Sequence, residues 1–321
     1  MIVVVVEHDR GTMAPASLEA MTSARSLAAT MGAPLHALTI GADADPLATE
    51  LGAFGAETVH QIGHELLTDY GPELWGEAVA QAIDALDPAV VMATGTDRGN
   101  EVLAQAAARR DVAMVANGLS YEPGPPFTIT RVRWGGSLHE QTSIDTAVLV
   151  TTLAHHSVEA SPADTPGAGT PVALAVDLDS ALTRTRIRDR VEREAGITLA
   201  TAPVVVGGGR GVGSPEGFEP LEDLADLLGG VVGCSRAVTN NGWRNHTDQV
   251  GQTGTRIAPE VYFACGISGA VQHWVGAMAS KHIIAINTDP EANMVTKAGY
   301  AVIADLHEMV PAIAEEIRRR G

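Results

Sequence analysis

The sequence predicts an α/β fold made of two Rossmann-like domains, each with a mainly parallel, doubly wound sheet. Short apolar runs alternate with segments whose apolar residues recur every three or four positions, and this alternation is typical of parallel βαβ units. The alternation stops near residue 122 and resumes at Ile197. We therefore expect one domain over residues 1–196 and a second over residues 197–321.

The first domain begins with four strand–helix pairs and a fifth strand. In its first helix the apolar residues from Leu18 to Leu27 follow helical spacing, and Gly32 is placed to end the helix. The segment TGTDRGNE at 94–101 opens the fourth helix, which runs through Arg109. The predicted strands span residues 2–6, 34–40, 57–62, 89–93 and 112–115, and the other helices span 18–30, 47–51 and 73–86.

A turn-rich stretch separates the two series of elements. EPGPP at 122–126 breaks the alternation, and Phe127–Trp134 and Thr146–Leu153 alternate like exposed strands, with GGS at 135–137 near the turn between them. We predict that these two strands are antiparallel additions to the first sheet. The charge run RTRIRDRVERE at 184–194 is typical of a solvated face.

The second domain repeats the strand–helix pattern and ends in a helix. Its strands are short apolar runs, as the buried strands of a parallel sheet usually are. They are predicted at residues 202–206, 230–233, 261–265, 283–287 and 300–304, and the helices near 217–228, 268–279 and 308–319.

Charge restricts the partners of the chain. It carries 21 basic and 39 acidic side chains, which give a formal charge of −18. Nucleic acid and anionic membrane surfaces repel such a chain, so neither is expected as a partner. Lys281 and Lys297 are the only lysines, and an acidic, lysine-poor surface is what we expect of a protein from a salt-rich cytoplasm.

No segment predicts export or membrane insertion. The apolar run in MIVVVV is too short for a secretory signal and no basic region precedes it, so it predicts a first strand. No segment approaches the roughly 18 apolar residues that span a bilayer. Cys234 and Cys265 suit neither a disulfide framework nor a zinc site, and we expect both to be small buried side chains. The predicted location is cytoplasmic.

Three polar loops follow predicted strands of the second domain. They are GGGRG at 207–211, CSR at 234–236 followed by QVGQTG at 249–254, and GISGAVQH at 266–273. Because ligands of open α/β sheets bind outside the carboxyl ends of the strands, we expect these loops to form one crevice. Glycine amides, two arginines, a threonine, a glutamine and a histidine suit a long, anionic cofactor better than a hydrolytic site.

Two of these loops have the chemistry of phosphate binding. In GGGRG, glycine amides can approach a phosphate closely and Arg210 can pair with its oxygens. In GISGAVQH, the amides at the start of a helix can bind phosphate, although Ser268 could simply cap that helix. Neither the GxGxxG fingerprint nor a P-loop is present.

Single polar residues complete the crevice. Thr253 lies between Gly251 and Gly254, and Arg236 lies just beyond a short buried strand, where a charge is unfavourable unless it faces an anion. Asn287 and Asp305 close two further strands. No GxSxG, HExxH or Cys–His motif is present, and the adjacent His155 and His156 have no second pair at metal-ligand spacing, so we expect them at the surface without a metal.

These motifs resemble the alpha subunit of electron transfer flavoproteins, including the FixB-type proteins. Over residues 202–321, GGGRG, CSRAV, QVGQTGT, APEVYFACGISGAVQH, IIAINTDPEA and ADL occur in the order and spacing of that family. Over residues 1–155, VVEHDRG, Gly95–Arg109 and RVRWGGS are similar to family segments. The resemblance implies that the C-terminal domain binds FAD and that the chain pairs with a beta subunit, where AMP or a second FAD is expected.

The resemblance also implies roles for individual residues. Arg210 would contact the FAD phosphates, Thr253 would lie near flavin N5 and His273 near flavin O2. Residues 268–273 would hold the pyrophosphate and the O2 side of the ring, and Asn287, Asp305 and Leu306 would hold the adenosine end. The implied FAD-binding residues are Arg210, Ser235, Arg236, Val250, Gly251, Gln252, Thr253, Ser268, Gly269, Ala270, Val271, Gln272, His273, Asn287, Asp305 and Leu306.

The function implied by the resemblance is that of an electron carrier rather than an enzyme with its own substrate pocket. Its donors would be acyl-CoA or other flavin dehydrogenases, as in fatty acid β-oxidation, and its acceptor a quinone oxidoreductase. Whether the complex bifurcates electrons is left open. The sequence departs from the usual family pattern at two places beside the flavin-facing motifs. Asn240 stands where the family usually has an aspartate, and AGY at 298–300 stands where ADY is common.

Two other interpretations remain. An NAD-dependent oxidoreductase on a similar fold would need the dinucleotide fingerprint and an acidic residue about 20 positions later, which this sequence lacks. A nucleotide-binding regulatory subunit without redox activity would form a colourless complex, whereas a flavoprotein would be yellow.

Overall fold

The computed structural model describes residues 1–189 and 197–320. The predicted domain boundary after residue 196 lies at the edge of the segment outside the described residues, and it stays a prediction. Residues 184–189 of the predicted charge run are exposed, and the rest of that run lies outside the described residues. The chain divides into two compact units. The first contains Met1–Trp134 and Leu138–Val191, and the second contains Gly135–Ser137 and Glu192–Gly321.

The first unit contains a large sheet with helices on both faces. Its strands and helices are β1 Ile2–Val5, β2 His8–Asp9, β3 Thr12–Met13, α1 Pro15–Met31, β4 Leu35–Ile40, α2 Ala48–Ala53, β5 Thr58–Ile62, α3 Pro72–Leu86, β6 Val90–Thr94, α4 Asp97–Arg110, β7 Met114–Glu122, β8 Phe127–Arg133, β9 Leu138–Ile144, β10 Leu149–Leu153 and β11 Thr170–Ala173.

The sheet of the first unit has nine strands in the order β11-β5-β4-β1-β6-β10-β7-β8-β9. The pairs from β11 to β7 are parallel, and β8 and β9 are antiparallel additions. One apolar cluster joins the sheet to α1 and α2, and another joins it to α3 and α4. After β1 the chain adds β4 and β5 on one side of it and then returns to add β6 on the other side, so the order of strand addition reverses between β1 and β6.

One strand prediction in the first unit is wrong. Phe127–Arg133 is antiparallel as predicted, but its second partner is β9, which was not predicted. The segment expected to be an exposed antiparallel strand is instead β10, which is fully buried and parallel between β6 and β7. The hydroxyl of Thr151 donates to the Val115 carbonyl at 2.7 Å, and that of Thr152 donates to Asn100 at 2.8 Å. These bonds satisfy both threonines in the interior, so their polarity did not indicate exposure.

The second unit is a smaller, fully parallel version of the same architecture. Its elements are β12 Val204–Gly208, α5 Glu219–Leu227, β13 Val231–Cys234, α6 Arg236–Asn240, β14 Val261–Cys265, α7 Val271–Ala277, β15 His282–Asn287, α8 Asn293–Lys297, β16 Tyr300–Ile303 and α9 Leu306–Arg320. The five strands have the order β13-β12-β14-β15-β16, with the reversal between β12 and β14. Helices α5 and α9 pack on one face, and α7 and α8 lie on the other.

The predicted fold class of two Rossmann-like, mainly parallel units is confirmed. The strand at Val261–Cys265 has the predicted bounds, whereas the short helices α6 and α8 were not predicted. Helices of about five residues carry too little periodicity to be recognised in a sequence. Among the described residues, no helix combines the length and the apolar character that crossing a bilayer would require.

Candidate functional site

A cleft of about 150 Å³ lies at the carboxyl ends of β13 and β14 in the second unit. Three segments build it: the residues that follow β13, the loop at 249–253, and the loop that follows β14. Among the described residues, no carboxylate lines the cleft, although the chain has 39 acidic residues. The lining residues are Ser235, Arg236, Ala237, Gln249, Val250, Gly251, Gln252, Thr253, Ile267, Ser268, Gly269, Ala270, Gln272 and His273.

Most of the predicted cofactor-binding residues meet in this cleft. Arg236, Thr253 and His273 come from three separate segments and line the same space. The crevice predicted from the positions of the loops is therefore present, but fewer residues line it than predicted. The predicted residues that do not line it are Arg210, Val271, Asn287, Asp305 and Leu306.

The two walls of the cleft are joined backbone to backbone. The Gln252 amide donates to the Gln272 carbonyl at 2.8 Å, and the Ile257 amide donates to the Gly276 carbonyl at 2.8 Å. A Cβ atom added at Gly276 would lie 2.3 Å from the Gly251 Cα atom, so only glycine permits this approach. Helix α7 therefore holds the loop at 249–253 in place.

Arg236 supplies the cleft with a cation that no described carboxylate neutralises. Its side chain is exposed, and among the described residues its guanidinium forms no ion pair. Arg210, on the loop after β12, is likewise exposed and unpaired within the described part of the chain. On a protein of charge −18, two arginines without carboxylate partners favour an anionic ligand.

A buried glutamine that was not among the predicted site residues holds Thr253. Gln249 is 2 % exposed, and its side-chain amide donates to the Thr253 hydroxyl oxygen at 3.0 Å. The carbonyl oxygen of the same side chain accepts from the Thr239 hydroxyl at 2.8 Å. In this arrangement the Thr253 oxygen is already an acceptor, and its own proton is available to a cleft occupant. The position of Gln249 at the start of QVGQTG was the only signal for it.

His273 is the most enclosed polar residue of the cleft. It is 6 % exposed, and its Nε2 lies 2.8 Å from the hydroxyl oxygen of the fully buried Tyr262. Burial lowers the pKa of His273 to about 4, against an opposing effect of the Val250 backbone. Its Nδ1 is buried and has no hydrogen-bond partner among the described residues. Tyr262 was also missed, because its sequence position indicates only a core strand.

The glycines of GGGRG serve packing rather than the predicted phosphate contact. A Cβ atom at Gly207 would lie 2.4 Å from the Tyr262 hydroxyl oxygen, and one at Gly208 would lie 2.3 Å from the Phe218 ring. The amide of Gly209 donates to the Cys265 carbonyl, and that of Gly211 donates to the Gly266 carbonyl. These two amides are therefore unavailable to a phosphate. Arg210 remains as the ligand-binding candidate of this loop.

The helix after GISG begins later than predicted. Its first residue is Val271, its N-cap position is Ala270, and Ser268 does not cap it. Gly269 has a φ of 75°, and a Cβ atom there would lie 2.4 Å from the Met294 amide nitrogen. The left-handed conformation that glycine permits turns the chain before the helix and places Ser268 and Ala270 at the exposed rim of the cleft. Val271 is 47 % exposed and lies outside the cleft.

The residues predicted for the adenosine end already have structural partners. The Asn287 side-chain amide donates to the Ile267 carbonyl at 3.1 Å, and a carboxylate oxygen of Asp305 accepts from the His307 amide at 2.9 Å. Leu306 is 5 % exposed within the apolar core beside α9. Its side chain is therefore committed to packing, and its contact with a ligand would have to use the backbone.

The cysteines and the adjacent histidines considered in the sequence do not line the cleft. Cys234 and Cys265 are free and buried as predicted, and burial raises the pKa of each thiol to about 12. His155 and His156 are half-buried rather than at the surface, so that expectation is wrong. Glu19 on α1 holds His156 in this position. Its Oε2 accepts from the His156 backbone amide at 2.8 Å, and its Oε1 lies 3.3 Å from the His156 Nδ1.

A larger cavity, of about 270 Å³, belongs to the first unit. It lies between residues 65–71 and 183–187, and both acidic side chains and an arginine line it. The smaller cleft is the stronger candidate site, because its lining combines buried polar atoms, glycine-dependent loops and a positive charge that has no ion-pair partner among the described residues.

Two family models match the chain. The model described as "Electron transfer flavoprotein domain" matches residues 2–179, and the one described as "Electron transfer flavoprotein FAD-binding domain" matches residues 198–278. The second match contains every residue that lines the cleft. This chain belongs to the electron transfer flavoprotein alpha-subunit family.

Relatives of the alpha-subunit family align over nearly the whole chain. An electron transfer flavoprotein subunit alpha of Mycobacterium tuberculosis is 36 % identical over 322 residues, covering 99 % of this chain and 98 % of that protein. One of Thermoanaerobacterium thermosaccharolyticum is 33 % identical over 318 residues, covering 98 % and 96 %. Protein FixB of Azorhizobium caulinodans is 31 % identical over 327 residues, covering 99 % and 88 %. The predicted family is confirmed, and its members are electron carriers.

The residues of the cleft fit a flavin. In the part of the chain that the structure describes, the lining has no carboxylate and offers the Arg236 cation, the Thr253 hydroxyl and the exposed amide side chains of Gln252 and Gln272. The unpartnered Nδ1 of His273 adds a buried polar atom that lacks a hydrogen-bond partner among the described residues. Hydrogen-bonding groups around a positive charge suit a polar, electron-accepting ring with a diphosphate tail.

Proposed function

We propose that this chain is the alpha subunit of a heterodimeric electron transfer flavoprotein and that it holds FAD in the cleft of the second unit. The observation that carries the proposal is the meeting of Arg236, Thr253 and His273 in one cleft without a carboxylate. When bound, the flavin supplies the redox chemistry, because no side chain of the cleft does so by itself. The protein residues bind it, orient it and adjust its potential.

Arg236 and Thr253 act on the electron-accepting ring in this proposal. Arg236, at the start of α6, provides a fixed positive charge that favours gain of an electron by a nearby group. Thr253 provides a hydroxyl proton, since Gln249 already donates to its oxygen. Gln249 and the backbone contacts between Gln252 and Gln272 hold these groups before any ligand arrives.

The remaining predicted roles extend the cofactor beyond the cleft. Arg210 would bind the phosphates from the loop after β12, where it is exposed and has no ion-pair partner among the described residues. Asn287 is the last residue of β15 and Asp305 follows β16, at the same edge of the sheet as the cleft. They would contact the adenosine through backbone and side-chain atoms that do not take part in the hydrogen bonds described above.

The proposed partner is an electron transfer flavoprotein beta subunit, which would carry AMP or a second FAD. We propose acyl-CoA or other flavin dehydrogenases as donors and a quinone oxidoreductase as the acceptor, with the complex in the cytoplasm. The family membership supports a carrier that docks on other proteins. Bifurcation of electrons requires a second flavin in the complex, and a simple carrier requires one.

The decisive experiment is co-expression of the chain with its beta subunit and measurement of the absorbance and flavin content of the purified complex. We expect a yellow complex whose cofactor, released by denaturation, is FAD. A colourless complex that binds nucleotides would support a regulatory subunit instead, and saturable binding of NADH would support the dehydrogenase interpretation. A flavin count near one per heterodimer indicates simple transfer, and a count near two indicates bifurcation.

A further inference from the structure

Beneath the cleft, Tyr262 and His273 form a buried polar pair. Tyr262 lies on β14 and is 0 % exposed, and His273 lies in the first turn of α7 and is 6 % exposed. The hydroxyl oxygen of Tyr262 is 2.8 Å from Nε2 of His273. Apolar residues of both the sheet and α7 surround the pair, so water does not compete with this hydrogen bond.

The direction of this hydrogen bond follows from the partners that each atom has. Among the described residues, the Tyr262 hydroxyl has no other hydrogen-bond partner than Nε2 of His273. If Nε2 carried the proton, the tyrosine proton would be buried without an acceptor, which is unfavourable. If the tyrosine donates, both atoms are satisfied, and the proton of the neutral imidazole must lie on Nδ1.

Charge on either partner is disfavoured by the same burial. Desolvation lowers the pKa of His273 to about 4 and raises the pKa of Tyr262 well above its ordinary value. At neutral pH both groups are therefore uncharged, and the pair has a single satisfied arrangement. Nδ1 of His273 is buried and makes no hydrogen bond of normal geometry among the described residues, although the Val250 backbone is near enough to the ring to oppose the lowering of its pKa.

We propose that Tyr262 is a positioning residue that holds His273 as the neutral tautomer protonated on Nδ1, so that the ring lines the cleft without a charge and with Nε2 bound to the tyrosine. The effect of this arrangement on a cleft occupant rests on the proposed binding of flavin. The tautomer itself depends only on residues of this chain. In this arrangement Arg236, and not His273, supplies the positive charge of the cleft.

Gly207 makes the pair possible. A Cβ atom at this position would lie 2.4 Å from the Tyr262 hydroxyl oxygen and 2.6 Å from its ring. The strand β12 therefore needs glycine where it passes the tyrosine. This requirement links the first glycine of GGGRG to the cleft through the tyrosine and the histidine, and it does not involve contact with a phosphate.

The tautomer can be measured directly on the complex of the full chain with its beta subunit, prepared with 15N-labelled histidine. A spectrum of long-range 1H–15N couplings at pH 7 distinguishes the two neutral tautomers and the imidazolium, and a His273→Gln variant identifies the His273 signals. We expect a neutral ring protonated on Nδ1. An imidazolium or a ring protonated on Nε2 would overturn the proposal. This result does not depend on bound flavin, so it is distinct from failure of the proposed function.

The role of the tyrosine is tested by Tyr262→Phe, which removes only the hydroxyl. We expect the His273 signals to shift toward the other tautomer and the dissociation constant of FAD to rise about 3- to 10-fold, as expected for one hydrogen bond. The matched control is Tyr121→Phe in the first unit, where a buried hydroxyl donates to the Thr152 carbonyl at 3.2 Å. This control should leave both readouts unchanged.

A double variant separates positioning from a general packing effect. If Tyr262 acts through His273, then Tyr262→Phe should have no further effect on FAD affinity in a His273→Gln background. Additive effects of the two substitutions, or an unchanged tautomer in Tyr262→Phe, would contradict the inference. Should Tyr262→Phe fail to fold, the spectrum of the unaltered complex still decides the tautomer.

Discussion

The two units share an architecture and differ at the place where that architecture usually binds a ligand. Each has a mainly parallel sheet in which the order of strand addition reverses beside the first strand, between β1 and β6 in one unit and between β12 and β14 in the other. At the reversal of the first unit the cavity measures about 10 Å³ and is lined by residues such as Glu7, Thr94 and Arg98. The cleft of the second unit measures about 150 Å³.

At the reversal point of the first unit, the polar groups form hydrogen bonds with one another. Thr96 donates to a carboxylate oxygen of Glu7, and its hydroxyl oxygen accepts from the Gly99 amide at 3.0 Å. Thr96 is therefore the cap of α4 and the partner of Glu7 at the same time. The groups that would otherwise meet a ligand are occupied by one another.

The corresponding groups in the second unit are left available. Ser235 occupies the N-cap position of α6, but its hydroxyl makes no capping bond and lines the cleft. Arg236 follows it without an ion-pair partner among the described residues. The comparison shows that a doubly wound sheet provides the place for a ligand, while the side chains of its loops decide whether that place is open.

The largest effect that would sharpen this comparison is expected for Arg236→Ala. Two charges about 4 Å apart at an effective dielectric constant of about 20 interact by roughly 4 kcal/mol, which corresponds to about 170 mV for a one-electron couple. Because the side chain is exposed, this is an upper value, and we expect the midpoint potential of the bound flavin to fall by some tens of millivolts or more. Redox titration measures it. Arg98→Ala in the first unit is the control, and an equal shift in both variants would contradict the assignment.

The next effect concerns pH. Because the pKa of His273 is about 4 in the folded chain and about 6.5 when unfolded, the unfolded chain binds more protons between these values. The stabilisation is present above about pH 6.5 and is lost as the pH falls toward 4, by about 3 kcal/mol in total. Urea unfolding of the unaltered chain and His273→Gln at several pH values should show a steeper pH dependence for the unaltered chain. Parallel curves would contradict the burial of a neutral histidine.

A smaller effect is expected where the cleft walls meet. Gly276→Ala places a methyl group 2.3 Å from the Gly251 Cα atom, and such overpacking disfavours the native geometry by about 1–3 kcal/mol. We expect FAD to bind about 10-fold more weakly, because the loop at 249–253 must move. Gly63→Ala, where no atom lies within 4 Å of the added methyl group, is the matched control. Normal flavin content in Gly276→Ala would show that the walls are independent.

The smallest effect tests the capping difference between the units. Thr96→Ala removes a cap whose side chain is used, and we expect a loss of about 1 kcal/mol in unfolding free energy with unchanged flavin binding. Ser235→Ala removes a side chain that does not cap, so we expect little loss of stability but weaker flavin binding. Thermal unfolding and fluorescence titration of both variants check this. The reverse outcome would remove the contrast drawn between the two reversal points.

Local patterns in the sequence were sufficient for the parallel architecture and for the order of the loops. Apolar runs such as Val261–Cys265 are strands because burial and periodicity agree there. The position of β10 was missed because two threonines suggest exposure, and only their bonds to Val115 and Asn100 show that they belong inside. Those partners lie 36 and 52 residues away along the chain, so no local pattern contains them.

The candidate site was predictable to the extent that it depends on loop positions. Strand ends of a parallel sheet meet at one edge, which was enough to bring Arg236, Thr253 and His273 together. Gln249 and Tyr262 escaped prediction because a buried side chain acts through a partner that the sequence does not reveal. The glycine run GGGRG indicated close approach of a phosphate because sequence alone does not distinguish a close ligand from the close aromatic rings found at Gly207 and Gly208.

The backbone bonds between Gln252 and Gln272 and between Ile257 and Gly276 mean that the receptacle is preformed. A cofactor that enters such a receptacle does not have to order the surrounding loops, so little conformational entropy is lost on binding. Once flavin has been removed, ring-modified analogues should therefore be able to replace it without refolding of the chain. Such exchange would allow the potential of the complex to be set chemically, with every side chain left as it is.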